Sequence, residues 1–287
     1  MYSNLLIPSS QSSNNIKYLV LGSEGQIGKS LVRYLLEHNE EVLEFDIKRN
    51  KNEDLRIKDN QLFIDNLLKC DFVFFLAWDV GGSKYLEKCE KTFDFIHNNV
   101  SIMNNTFKYL QEFKKPFIFT SSQMIDMIGS VYGNTKLIGE KYTEIIGGLN
   151  VRMWNVYGEE KEEEKSHVIT DFILKAKNNG YIDMLTTGEE SRQFLYAEDC
   201  CEAFHILSKE YYNLPRDKNF HITSFEWKYI WEIAEEVSKQ MKCEWNRGEK
   251  IDRVQNDLKI DPDKYILNYW EPKTSLEKGI KCLMKNI

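Results

Sequence analysis

The chain has 287 residues, with 38 Lys+Arg against 45 Asp+Glu and a formal net charge of −7. At 42% hydrophobic and 29% charged it carries enough apolar material for a full core, which excludes a disordered, collagen-like or mucin-like chain. The acidic balance disfavours a nucleic-acid surface, although helix N-termini and a few placed arginines still suit small anions.

Residues 1–15 are Ser/Asn-rich, lack the basic and apolar regions of a signal peptide, and read as a loose tail. From Lys17 short apolar runs alternate with amphipathic ones. Tyr18–Leu21 is a buried strand, Ile27–Glu37 has helical spacing, and Glu41–Ile47 is a second strand. Leu62–Leu68 is a short helix, Phe72–Leu76 a continuous apolar strand, Thr92–Phe113 a long helix and Phe117–Thr120 a further strand. Apolar strands separated by helices require a parallel sheet covered on both faces, so the first half predicts a doubly wound α/β domain.

After Leu149 the pattern predicts a strand at Val151–Asn155, a solvated charge run at Glu159–Lys165 and a helix at Glu198–Ser208. A strand at Phe220–Ile222, an amphipathic stretch at Glu226–Met241 and a closing helix at Ser275–Met284 follow. The expected division is 16–158 for the doubly wound domain and 159–287 for a smaller lobe, with 219–241 returning to the first domain. No run approaches the roughly 18 apolar residues of a membrane span, and a cytoplasmic location is expected. The six cysteines show neither a CxxC pair nor zinc spacing with histidine, so they read as reduced thiols and no metal is expected.

The first strand runs into Gly22-Ser23-Glu24-Gly25-Gln26-Ile27-Gly28 and a helix. Glycines there permit a tight turn, let backbone approach a pyrophosphate and let helix pack on strand, with the helix N-terminus facing the diphosphate. Asp46 closes the second strand, where a carboxylate accepts from an adenosine ribose and repels a 2′-phosphate; this favours NAD over NADP, although Lys48 and Arg49 follow closely. Further on, Tyr132 and Lys136 stand at i and i+4 on one helical face. An ammonium beside a phenol favours the phenolate and is expected to lower its pKa, making Tyr132 a proton-exchanging group for a substrate hydroxyl.

Glycine turn, acidic strand end, Thr120-Ser121-Ser122, Tyr132-Gly133-Asn134-Thr135-Lys136 and Arg152-Met153-Trp154-Asn155-Val156-Tyr157-Gly158 follow in an order that resembles the extended short-chain dehydrogenase/reductase family. The likeness extends to its nucleotide-sugar epimerases and dehydratases over nearly the whole chain. It implies a Rossmann-type domain with a smaller C-terminal substrate lobe, NAD as cofactor, and Tyr132, Lys136 and Ser122 as the catalytic residues. NAD would be held by Gly22, Gly25, Gln26, Ile27, Gly28, Asp46, Asp54, Leu55, Leu76, Ala77 and Asn99, together with Tyr132 and Lys136. A nucleotide-diphosphate sugar would meet Trp78, Gln123, Asn155, His167 and Val168, with Arg192 and more weakly Arg253 on its diphosphate. Trp78 stands where the family often has alanine, and either walls the sugar site or packs. The family also implies a homodimer through the Thr92–Phe113 helix and the Tyr132 helix, with Phe107, Tyr109, Leu137 and Tyr142 as apolar contacts.

The departures narrow the chemistry. The family's 4,6-dehydratases carry an Asp-Glu pair where this chain has Gln123-Met124, and its 3,5-epimerase-reductases carry a cysteine in a region that has none here between Cys89 and Cys200. That leaves hydride transfer with one tyrosine. The expectation is an NAD-dependent oxidation of a nucleotide-diphosphate sugar at C4 for surface polysaccharide, resembling the GDP-heptose dehydrogenases of capsule pathways in its Ser-Gln-Met and Gly81-Gly82 regions. A 4-epimerase and a non-catalytic NAD-sensing protein are the alternatives.

Overall fold

The computed structural model describes residues 15–160, 166–252 and 260–286. The tail, apart from Asn15, and most of the charge run therefore fall outside the described residues. Six strands form one parallel sheet: β1 (Lys17–Leu21), β2 (Glu41–Phe45), β3 (Phe72–Phe75), β4 (Phe117–Ser122), β5 (Leu149–Met153) and β9 (Phe220–Ile222), in the order β2-β1-β3-β4-β5-β9. Their helical crossovers are α1 (Gln26–Glu37), α2 (Gln61–Lys69), α3 (Ser83–Cys89), α4 (Phe93–Glu112) and α5 (Val131–Ile146).

Both faces of the sheet are covered because successive strand residues alternate between two apolar cores. Tyr18, Val20, Phe72 and Phe74 pack with Leu31 and Leu35 of α1 and Phe204 and Leu207 of α7 (Ala197–Lys209). Leu19, Leu21, Val73 and Phe75 face Phe63 of α2 and Met103 and Phe107 of α4. The vicinal Cys200 and Cys201 are buried free thiols in the first of these cores. Fully buried parallel strands have no polar face, which is why their sequence reads as unbroken apolar runs.

The predicted strand at Val151–Asn155 is two strands. The chain leaves the main sheet at Trp154, and β6 (Asn155–Tyr157) joins β8 (Ser191–Tyr196) and β10 (Trp227–Tyr229) in a second, three-stranded sheet. The lobe is completed by α6 (Val168–Asn179), β7 (Tyr181–Asp183), α8 (Ile230–Met241), β11 (Glu244–Asn246) and α9 (Leu276–Leu283). The 219–241 segment does not return to the Rossmann domain as a unit. Only β9 enters that sheet, because α8 turns Ile230, Ile233, Ala234 and Val237 into the lobe core with Ile169, Phe172, Ile173 and Ile182. Conversely α7, expected in the lobe, packs on the sheet through Ala203, Phe204 and Leu207.

A buried ion pair fixes α5 to β5. Arg152 donates from Nε to one oxygen of Glu140 at 2.9 Å and from Nη2 to the other at 3.0 Å, and Glu140 is only 2% exposed. Removing one member of a buried pair leaves the other desolvated and uncompensated. Glu140→Ala is therefore expected to lower unfolding stability by about 3 kcal/mol in a denaturant titration; a loss below about 1 kcal/mol would contradict this role.

Candidate active site

Strand order reverses about β1, with β2 on one side and β3 on the other, and crevices in open parallel sheets form at the carboxyl ends of strands at such a switch point. A cleft of about 690 Å³ opens there, lined by residues that follow β1, β2, β3, β4 and β5 and by the edge of the lobe.

The glycine loop builds one end. Gly22 has φ +87°, a left-handed conformation, and a Cβ on it would meet the Ala77 nitrogen at 2.7 Å. A Cβ on Gly28 would stand 2.0 Å from the Gly22 carbonyl oxygen, so α1 approaches the end of β1 only because Gly28 lacks a side chain. Gly25 caps α1 without any side-chain hydrogen bond, leaving the first-turn N–H groups of Gln26, Ile27 and Gly28 turned to the cleft end that these residues line. Gln26 also donates to the Val156 carbonyl at 3.3 Å, tying this helix start to the lobe.

Asp46 lies beside the loop. Its carboxylate accepts from the backbone N–H of Glu24 at 3.0 Å and of Lys48 at 2.8 Å, which still leaves a lone pair on each oxygen. Asp54, Leu55 and Arg56 line the wall beyond. Arg56 grips both Asp54 oxygens at 2.8–3.2 Å; burial alone would raise this carboxyl, but the Arg56 hydrogen bonds outweigh it and hold it below the usual range. A loop with no Cβ at Gly22, Gly25 and Gly28, a helix start without a side-chain cap and an acidic strand end fit a dinucleotide diphosphate and its ribose.

Ser122, Tyr132 and Lys136 sit at the end of β4 and in the first turns of α5. Ser130 caps α5 by accepting from Gly133 N–H at 3.0 Å, and the buried Glu90 carboxylate accepts from the Ser130 hydroxyl and the Tyr132 N–H, both at 3.2 Å. A Cβ on Gly133 would meet the Met124 carbonyl at 2.0 Å, so the short loop after Ser122 packs straight down on the helix that carries Tyr132. Ser122 Oγ accepts from Met124 N–H at 3.1 Å, which leaves its own proton to donate. Lys136 is 3% exposed; its Nζ donates to the Thr120 carbonyl at 2.6 Å and stands 3.9 Å from the centroid of the Trp78 ring.

The expected lowering of the phenol is not found. Burial pushes Tyr132 up to about 12, opposed by a hydrogen bond with Ser122, and burial likewise pushes Lys136 well below the usual lysine range against the pull of Glu140. Burial is the cause, and Lys136, whose Nζ donates to the Thr120 carbonyl and lies 5.9 Å from the Tyr132 ring centroid, does not offset it.

Leu76, Ala77, Trp78, Gln123 and Asn155 all line the cleft. The Asn155 amide nitrogen is buried without a hydrogen-bond partner among the described residues, and so is the Trp78 indole nitrogen. His167 faces the same space from the N-cap of α6. Its Nδ1 meets Glu160 Oε1 at 2.5 Å, and although burial lowers the imidazole pKa, the Glu160 hydrogen bond raises it above the usual value on balance. Glu160 belongs to the charge run read as solvated, yet its side chain is 8% exposed. That run gave no sign of it, because a single inward residue in an acidic stretch leaves no periodicity.

Three expected contacts are placed elsewhere. Asn99 is fully buried and spends its amide on the backbone of Asp79, accepting from its N–H at 2.7 Å and donating to its carbonyl at 3.1 Å, so it shapes the wall from behind. Val168 packs against the lobe core. Arg192 does not line the cleft: its Nη2 donates to Asp252 at 2.7 Å and its Nη1 to the Ser191 carbonyl at 2.7 Å. Arg253 lies outside the described residues.

A family model described as the NAD dependent epimerase/dehydratase family matches residues 18–223. The chain belongs to that family. Its members modify nucleotide sugars with NAD, and the glycine loop, Asp46, Tyr132 and Lys136 line one cleft here. GDP-L-fucose synthase of Sinorhizobium fredii is 26% identical, the match covering 91% of this chain and 92% of that protein. Among solved structures, UDP-glucose 4-epimerase of Thermotoga maritima superposes with a TM-score of 0.77 at 18% identity, over 94% and 98% of the two chains. A GDP-6-OMe-4-keto-L-xylo-heptose reductase from C. jejuni gives 0.78 at 17%, over 94% and 97%; at these identities the two structures speak to the fold.

Gly28→Ala tests the cradle. The added methyl would collide with backbone, and NAD affinity measured by calorimetry is expected to fall at least about tenfold; an unchanged affinity would count against it.

Proposed function

We propose that this enzyme exchanges hydride between NAD and C4 of a nucleotide-diphosphate sugar, as a C4 dehydrogenase. The observation that carries the reading is the Ser122–Tyr132–Lys136 group in one cleft, with neither an acid nor a base at the two positions that follow Ser122. Gln123 lines the cleft as an amide and Met124 is buried under Leu86 and Phe95, so neither exchanges a proton.

The glycine loop, the start of α1 and Asp46 would hold NAD, and Lys136 its nicotinamide ribose. When bound, NAD supplies a hydride acceptor and a positive ring that favours the phenolate. Tyr132 takes the proton of the C4 hydroxyl, and Ser122, its acceptor role taken by Met124 N–H, donates to the same oxygen. The Asn155 amide nitrogen, without a partner among the described residues, donates to a sugar or phosphate oxygen. GDP-heptoses head the substrate panel on the strength of the Ser122-Gln123-Met124 and Gly81-Gly82 resemblance.

The test incubates the enzyme with a panel of nucleotide sugars, with and without a 2-oxo acid and its dehydrogenase to reoxidise the cofactor, following NADH and sugar stereochemistry. A 4-keto product with net NADH is expected, and Tyr132→Phe should reduce turnover roughly 10²–10⁴-fold with NAD binding retained. Epimer without net reduction would assign a 4-epimerase instead, and no turnover on any sugar would sink the enzyme reading.

We also propose a homodimer through α4 and α5. Ile96, Ile138 and Ile145 are 40%, 47% and 79% exposed on these neighbouring helices, a set of apolar side chains that association would cover. Leu137 and Tyr142 stay at the surface as expected, but Phe107 and Tyr109 belong to the core beneath the sheet. Sedimentation is expected to give twice the chain mass, with Ile138→Asp shifting it toward the monomer; a monomer at micromolar wild-type concentration would refute this.

A further inference from the structure

We propose that Trp78 is a positioning residue for Lys136: its indole face keeps the ammonium charged on the cleft floor and aims it along the Thr120 carbonyl. The consequence for turnover rests on the hydride-transfer reading above; the geometry does not. Lys136 Nζ lies 3.9 Å from the Trp78 centroid, against 4.9 Å from Phe119 and 5.9 Å from Tyr132. A cation within about 6 Å of a ring face is drawn by the ring quadrupole, most strongly by indole and most strongly when water is excluded. Trp78 is itself held by the tilted rings of Phe75 and Phe119, at centroid distances of 6.3 and 5.7 Å.

The choice of tryptophan carries a cost that phenylalanine would avoid. Its indole N–H is buried with no acceptor among the described residues, and such a donor is desolvated without return. What indole offers over benzene at this place is the stronger face toward Lys136.

The ammonium depends on that support. From its own helix it is faced by Tyr132 and Glu140, from β4 by the Thr120 carbonyl and the Phe119 ring, and from the segment after β3 by Trp78. Both Glu140 oxygens are taken up by Arg152 of β5, so that carboxylate helps Lys136 only through space. Burial already pushes Lys136 well below the usual lysine range, which leaves its charge sensitive to each remaining partner.

The experiment compares wild type, Trp78→Phe and Trp78→Leu in protein labelled with ¹³Cε-lysine, the Lys136 resonance being assigned by its loss in Lys136→Arg. The Lys136 titration midpoint is expected to fall by about one pH unit in Trp78→Leu and by a smaller step in Trp78→Phe. In kinetics, the basic limb of kcat/KM should move down with it, giving an approximately tenfold loss on the alkaline side. Coincident midpoints in all three proteins overturn the proposal, including when the leucine variant has only lost thermal stability, which assigns Trp78 to packing. If wild type turns over no nucleotide sugar, the functional reading fails while the midpoints still decide Trp78; turnover with coincident midpoints fails Trp78 alone.

Discussion

The site depends on a lysine nitrogen held inside the protein. Lys136 Nζ reaches the Thr120 carbonyl at 2.6 Å from a position that is 3% exposed. An ammonium is tolerated there only if hydrogen bonds, ring faces and nearby carboxylate replace its water. The surroundings follow from that need. The end of β4 supplies a carbonyl, the segment after β3 supplies an indole, and Glu140, one turn along α5, supplies negative charge that Arg152 anchors to β5. Three adjacent strands are thus tied to one side chain at the floor of the cleft.

Around that floor the fold divides the work. The parallel sheet reverses its order at β1 and opens a crevice, and Gly28 lets α1 come down to its edge. The lobe is built by strands that leave the sheet, since the chain crosses from β5 to β6 within the Met153-Trp154-Asn155 stretch. That crossing places Asn155 and, further along, the Glu160–His167 pair against the same cleft. The match to the NAD dependent epimerase/dehydratase family, residues 18–223, spans this junction, and among the described residues no helix is long and apolar enough to cross a membrane.

Much of this was legible in the sequence, and the limits have physical causes. Apolar runs and the glycine turn report local backbone geometry, so the strands from Tyr18 to Thr120 and the long helix capped by Thr92 are found where periodicity put them. The Tyr132–Lys136 spacing placed both groups on one face of α5 in the cleft. Spacing along a helix says nothing about what approaches from other strands. Lys136 is held by Thr120 and Trp78, and burial pushes the phenol up where the pair alone predicted it would be pulled down. Arg192 shows the same limit from the other side: a guanidinium suited to phosphate is paired with Asp252, a residue sixty positions further along the chain. The amphipathic stretch through α8 was visible, but which of two cores would receive it was decided by tertiary packing.

The most direct measurement of the central claim follows a label. A nucleotide sugar that the enzyme turns over, carrying deuterium at C4, is incubated with NAD, and the nicotinamide is examined by mass spectrometry. Deuterium on the reduced nicotinamide ring is the predicted result, because C4 gives up hydride while Tyr132 handles only the hydroxyl proton. Deuterium washed into solvent, with unlabelled cofactor, would show that the C4 hydrogen leaves as a proton and would contradict the account.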